Sequence, residues 1–316
     1  MSSLTRNECA EFLRRHDRFA IVTHRRPDGD TVGSAATLCL GLRQLGKTAH
    51  IVENPEITSR YCHLHEGLTK PWPEAEDTLV SVDVASPNML PDAFRKLEGA
   101  IALRIDHHGT AASFTEHELV DPHAGACGEI IYDVLMALGV KLDKPMAEAL
   151  YTAVSTDTGC FRYANTTVHS LRTAAACAEA GGDLYAINQA IFETNSYRKL
   201  KIQSWITENS RFLAGGKIAI CALPKAVEEE IGANEDDLDN ISAFPRNIEG
   251  VKIAAMIRET TDGTVKVSVR AVPEYDAAAV CAKFGGGGHR GAAGCTVKLP
   301  LAEAAEAVAA AMPEMK

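Results

Sequence analysis

Four short stretches of this sequence are apolar almost without a break, and three of them carry a His or Asp at or near the end. They are RFAIVTH (18–24), TAHIVE (48–53), TLVSVDVA (78–85) and AIALRID (100–106). A strand with one wet face alternates apolar and polar residues. A continuous apolar run reads instead as a strand buried on both faces, the pattern of a parallel sheet covered by helices. Helical patterns separate and follow these runs: 4–16, GSAATLCLGLRQLG (33–46) with a glycine stop, and stretches near 91–97, 126–138, 145–158 and 168–181. The alternation predicts an α/β, doubly wound, mainly parallel first domain over residues 1–185.

A polar helical stretch, 186–212, is expected to be a linker. The texture then changes. KIAICALP (217–224) reads as a strand, and VKIAAMIRE (251–259) and VKVSVRA (265–271) read as a hairpin turning at Asp262-Gly263. A short helix, a glycine cluster, the strand GCTVKLP and an Ala-rich helix complete a smaller α+β domain over 213–316. Two domains also suit 316 residues, more than one compact core usually holds.

The net charge of −10 works against a protein that holds long duplex nucleic acid through its phosphates, but it leaves short oligonucleotides open. No run of 18 apolar residues suggests a membrane span. The N-terminal segment carries charges of both signs and lacks the apolar core of a signal peptide, so a cytoplasmic protein is expected. The nine cysteines lack zinc-ligand spacing and read as small buried apolar residues in a reducing compartment.

The chemistry gathers where the apolar runs end, which is where open α/β sheets bind ligands. THRRPDGDTVGSA (23–35) places His24, Asp28 and Asp30 within seven residues; a polar turn with one Asp capping a helix would explain part of it. SVDVAS (81–86) puts Asp83 in or at the end of an apolar strand, where a carboxylate is costly unless paired or bound to metal; a cap on the next helix is the plainer account. RIDHHGT (104–110) follows a strand directly with Asp106, His107 and His108, and STDTGCF (155–161) ends a helical stretch at Asp157. So many carboxylates in one cleft repel each other unless cations are present. Two divalent cations would resolve the repulsion and suit attack of water on a phosphate. His with Asp suits a borderline cation such as Mn2+. In the C-terminal part, Gly285 to Gly288 could offer successive N–H groups to an anion, with His289, Arg290 and Arg270 adding positive charge.

The ordered set HRRPDGD, VDVAS, DHHGT and TDTG resembles the DHH phosphoesterase superfamily, and KFGGGGHRGAAG (283–294) preceded by KVSVRA resembles its DHH-associated domain. The short two-domain form is most similar to the nano-RNase and 3′-phosphoadenosine-5′-phosphate (PAP) phosphatase subfamily. The resemblance implies that His24, Asp28 and Asp83 hold one cation, and that Asp30, Asp83, His107 and Asp157 hold a second, with Asp83 shared. It implies that Asp106 orients a neighbouring histidine and that His108 acts beside the scissile phosphate. It also implies that Arg270, Gly286, Gly287 and His289 bind substrate; Arg246 reads rather as a surface arginine.

The expected activity is hydrolysis of short oligoribonucleotides to mononucleotides and of PAP to AMP, with two Mn2+ or Mg2+ ions. Two rivals use the same residues differently: a cyclic- or linear-dinucleotide phosphodiesterase or short-polyphosphate hydrolase, and a nucleotide sensor without turnover. The sensor would lack a metal ligand, and none is missing. The apolar helices allow a homodimer without requiring one.

Overall fold

The computed structural model describes residues 2–109, 113–238, 240–260 and 263–315. The chain forms two compact units, Met1–Thr194 and Asn195–Lys316.

Among its described residues the first unit holds seven strands: β1 (Ser2–Ser3), β2 (Arg18–Val22), β3 (Thr48–Val52), β4 (Thr69–Lys70), β5 (Thr78–Val82), β6 (Ile101–Asp106) and β7 (His117–Val120). Their order is β1-β7-β6-β5-β2-β3-β4, and every pair is parallel. The four apolar runs are β2, β3, β5 and β6. Residues alternate across a strand, so Phe19 and Ile21 join one apolar cluster while Ala20 and Val22 join the other. That division is why the run is continuous: each face has its own cover. One cover is helical, from α1 (Arg6–Arg15), α2 (Gly29–Gln44), α3 (Cys127–Ala137) and α4 (Lys144–Asp157). On the other face Phe94 and Leu97 of the 3-10 helix Asp92–Ala100 pack on Ala20, Val22 and Leu79. Then come α5 (Val168–Glu179), α6 (Leu184–Asn188) and a π turn, Gln189–Glu193.

Strand order runs outward in both directions from the neighbours β2 and β5, so the switch point lies between them. A crevice opens beyond the carboxyl ends of strands at such a point. Helices α2 and α4 meet closely there because Gly33 has no side chain: a β-carbon would stand 2.3 Å from the Ala149 carbonyl oxygen.

The second unit opens with α7 (Tyr197–Asn209). It continues through β8 (Arg211–Leu213), β9 (Ile218–Leu223), α8 (Lys225–Ile231), β10 (Ile253–Glu259) and β11 (Val265–Ala271). It ends with α9 (Ala277–Ala282), β12 (Gly287–His289), β13 (Ala292–Val297) and α10 (Leu301–Ala311). The sheet order is β12-β13-β11-β10-β9-β8, antiparallel except for β9 with β10. Ile253, Ile257, Val267, Ala304 and Val308 form one apolar cluster; Ile202 and Ile206 of α7 form another with Cys221, Leu223 and Met256.

The hairpin β10–β11 is present as expected; Asp262 of its expected turn lies outside the described residues, as does Thr110 of the DHHGT segment. Of Gly285 to Gly288, expected to offer successive N–H groups to an anion, the first two amides donate instead to the Ala282 and Cys281 carbonyl oxygens, at 3.1 and 3.0 Å. Only Gly285 and Gly288 have positive φ (72° and 142°), and Gly287–His289 is an edge strand. Close strand contact is the reason for glycine there: a β-carbon on Gly286 would meet the Cys295 β-carbon and the Gly294 carbonyl oxygen, both at 2.3 Å. No helix among the described residues is long and apolar enough to cross a membrane.

Candidate metal centre

His24 follows β2, and its ring orientation is fixed by its neighbour. Nδ1 donates to the Arg25 carbonyl oxygen at 2.8 Å, so the proton sits there and Nε2 is free to act as a ligand. Nε2 stands 3.6 Å from Asp28 Oδ1 and 3.6 Å from Asp83 Oδ2. Asp28 is the N-cap of α2, accepting from the Asp30 and Thr31 amides at 3.1 and 3.2 Å. Cap and cluster member are therefore one residue. Helix α2 starts four residues earlier than the apolar pattern suggests, because the cap lies inside the polar segment.

Asp30, in the first turn of α2, is buried. Its Oδ2 accepts from the Cys127 amide at 2.7 Å, and its Oδ1 from the Gly128 amide at 3.0 Å and Ser34 Oγ at 2.9 Å. Those amides begin α3, whose own N-cap, Ala126, has no side chain to offer; Asp30 supplies the cap from α2. Asp83 comes just after β5 with φ 58°, a left-handed conformation that a non-glycine residue adopts at a cost of about 1–3 kcal/mol. Its amide is tied to the Ile105 carbonyl at 2.9 Å.

His107 follows β6 with Nδ1 directed at the Ala124 carbonyl oxygen, 3.3 Å away. Its Nε2 lies 3.8 Å from Asp30 Oδ2, 3.5 Å from Asp83 Oδ1 and 3.7 Å from Asp157 Oδ2. Asp157 is the last residue of α4, steadied by Asn165 Nδ2, which donates to its carbonyl at 3.1 Å and to the Gly125 carbonyl at 2.9 Å.

Asp106 closes β6 and is fully buried. Oδ2 pairs with Arg104, and Oδ1 accepts from the His107 amide and from His108 Nδ1, each at 2.8 Å. Burial opposes the Asp106 charge, yet His108 and Arg104 bring its pKa down to about 2. The same hydrogen bond raises His108 to about 8.

The rest of the cluster is electrostatically unsettled. Burial, with the charges of Asp83, Asp157 and Asp28, holds Asp30 well above the usual carboxylate range. Burial raises Asp83, and burial with neighbouring carboxylates raises Asp157 to about 7. Burial disfavours a charged His24, but Asp28 and Asp83 outweigh it and raise its pKa.

Three sets of side chains, each with ligand atoms within 4.8 Å of one another, overlap here: His24, Asp28 and Asp83; Asp30, His107 and Asp157; Asp83, His107 and His108. Asp83 Oδ1 is buried and hydrogen-bonded to nothing among the described residues. Ligand atoms at 2.0–2.2 Å from a shared ion stand about 3–3.5 Å apart, so imidazole nitrogens and carboxylate oxygens 3.5–3.8 Å apart fit a divalent cation set. The donor chemistry, nitrogen and oxygen without sulfur, suits Mn2+ or Mg2+-type ions.

All eight polar residues singled out in the first half thus come to one cluster at the switch point. The second-unit candidates are placed by sheet register. Arg270 of β11, Ala292 of β13 and His289 of β12 are directly opposite one another, so Arg270 and His289 share a face across a small alanine. Arg270 Nη2 donates to Ser242 Oγ at 3.1 Å. Arg246 is half-buried with Nη2 on Asn247. Sequence reasoning missed Arg104, Ser34, Asn165 and the Cys127–Gly128 amides. Arg104 had a signal: it is the single base inside the apolar run AIALRID.

The pattern of the DHH family, N-terminal domain, matches residues 18–154, and that of the DHHA1 domain matches residues 215–314. A Thermus thermophilus protein named bifunctional oligoribonuclease and PAP phosphatase NrnA is 36% identical over 298 residues, covering 93% of this chain and 89% of the relative. The Bacillus subtilis protein of the same name is 25% identical over 288 residues, 89% of this chain and 90% of its own. The crystal structure of an exopolyphosphatase-related protein from Bacteroides fragilis shares the fold, with a TM-score of 0.86, 22% identity, and coverage of 97% of this chain and 94% of the other.

Proposed function

The chain belongs to the DHH family, and on that footing we propose that it is a two-cation phosphoesterase cleaving short oligoribonucleotides to mononucleotides and PAP to AMP. The observation that carries this reading is that His24 and Asp28 gather on buried Asp83, while Asp30 and Asp157 gather on His107, itself 3.5 Å from Asp83 Oδ1. The names borne by relatives that match nearly end to end supply the substrate class.

His24, Asp28 and Asp83 would hold one cation, and Asp30, Asp83, His107 and Asp157 the other; Mn2+ is the assignment we favour for the two imidazoles. Bound there, divalent cations acidify water and neutralise phosphoryl charge. The chain's own residues do the rest. His108 is held through Nδ1 by Asp106, which leaves Nε2 to stabilise a phosphoryl oxygen or protonate the leaving oxygen. His108 itself and Arg104 together keep Asp106 ionised for that task. Arg270, Gly286, Gly287 and His289 bind the substrate; the shared face of Arg270 and His289 supports them. We assign catalysis to the first unit and substrate binding to the second; the stretch expected as a linker, 186–212, divides between them at Thr194, and its helix α7 packs into the second unit's core. The free cysteines suit the cytoplasm.

The test is Asp83→Ala, which removes the ligand both cations share. Losing a residue that merely orients a ligand typically costs 10–100-fold, so turnover of the variant should fall below about a hundredth of wild type while circular dichroism stays native. Substantial residual turnover contradicts the shared-ligand assignment.

A further inference from the structure

Directly after Asp157 the backbone does something unusual. Gly159, Cys160 and Phe161 have φ of 58°, 57° and 61°, three successive left-handed residues of which two are not glycine. The turn they make is tightly bonded. Buried Thr158 accepts at its carbonyl oxygen from the Arg162 and Tyr163 amides, both at 3.0 Å, and at Oγ1 from the Phe161 amide at 3.2 Å. Arg162 Nε donates to the Gly159 carbonyl at 2.6 Å.

The result is to bring Tyr163 back over Gly159. The nearest atoms to a β-carbon built on Gly159 are Cζ, Cε1 and Cε2 of Tyr163, at 2.4, 2.5 and 2.5 Å. Near-equal distances to these three carbons place Gly159 under the face of the ring rather than at its edge. Any side chain at 159 would displace the ring. The tyrosine nonetheless stays 56% exposed and joins none of the apolar clusters among the described residues. A flat aromatic ring with one face seated on glycine and the rest open is costly to build for packing alone. It lies over a residue two peptide units, at most about 7 Å, from Asp157.

We propose that Tyr163 is a stacking platform for a nucleobase of the substrate whose phosphate occupies the His/Asp cluster. This rests on the phosphoesterase reading and adds to it the feature recognised: a planar base, with no demand on its identity, because every base has a π-face. Stacking needs a ring held in place, and the left-handed turn holds it.

The experiment compares binding of AMP and of ribose 5-phosphate, the same sugar phosphate without its base, to the Mn2+-loaded full chain by calorimetry. Wild type should prefer AMP by about tenfold to a hundredfold. Tyr163→Ala should lose that preference with Mn2+ affinity retained, and Tyr163→Phe should restore it. A preference that survives in Tyr163→Ala, or one absent from wild type, overturns the proposal. Dinucleotide turnover measured in parallel separates the two readings. Tyr163-dependent AMP binding without any phosphoester cleavage keeps the platform and refutes the enzyme.

Discussion

Asp28 shows how one side chain satisfies two demands: its Oδ1 caps α2 and also faces His24 Nε2. The opposing explanations of the polar segment were never exclusive, because the start of a helix at a strand's end is where backbone amides and ligands converge. Asp106 illustrates the reverse dependence. It is buried and must stay charged, and Arg104 is one of its few partners. Arg104→Met should strand that carboxylate, costing about 3 kcal/mol or more in urea unfolding and lowering kcat as His108 loses its orientation. Unchanged stability would mean that His108 and the amides suffice. The metal-binding candidates were legible as polar intrusions at the ends of apolar runs. Arg104 stood out as a base inside an apolar run but its partner did not, and Asn165 gave no sign, since a lone polar residue does not disclose its partner until the chain folds.

At the scale of elements, strands with a two-sided apolar cover were plain, and those without were not. Strand β7, HELV, pairs with β6 but is only partly buried, so it lacks the apolar continuity that marked its neighbours. Strand β12 was hidden because its glycines look like a loop; Gly288 is there for close approach to β13, where a β-carbon would stand 2.7 Å from the Ala292 carbonyl oxygen. Helices α2 and α4 deserve the same logic: Gly33 lets them touch, and they carry Asp28 at a cap, Asp30 in a first turn and Asp157 in a last turn. Gly33→Ala forces a β-carbon against a backbone oxygen that cannot rotate away. We expect a loss of about 2–3 kcal/mol together with weaker Mn2+ binding, because prying the helices apart separates the ligands. Native stability with native Mn2+ affinity would show that the helices can part without moving the cluster.

At the scale of the whole molecule, cations and protons compete for one unit. Asp157 titrates near 7 in the folded, metal-free protein, against about 3.9 in an unfolded chain. The folded state therefore holds the extra proton between those values, and this contribution to stability is present at low pH and lost as pH rises towards 7. Calorimetry of the chelated protein should show the first unit's transition falling over that range. At pH 7.5, Mn2+ at a hundred times its dissociation constant should raise it by about 5 °C or more, and clearly less at pH 5.5. The second unit, with no such cluster among its described residues, should hold its own transition unmoved. An equal Mn2+ effect at both pH values would refute competition at the cluster. The central claim is tested most directly by incubating a di- to pentaribonucleotide series and PAP with the protein under Mn2+, Mg2+ or chelator and following the products. Mononucleotides released from the short RNAs with divalent cation and none under chelator are what the account predicts; cleavage indifferent to chelator, or confined to cyclic dinucleotide or pyrophosphate controls, would contradict it.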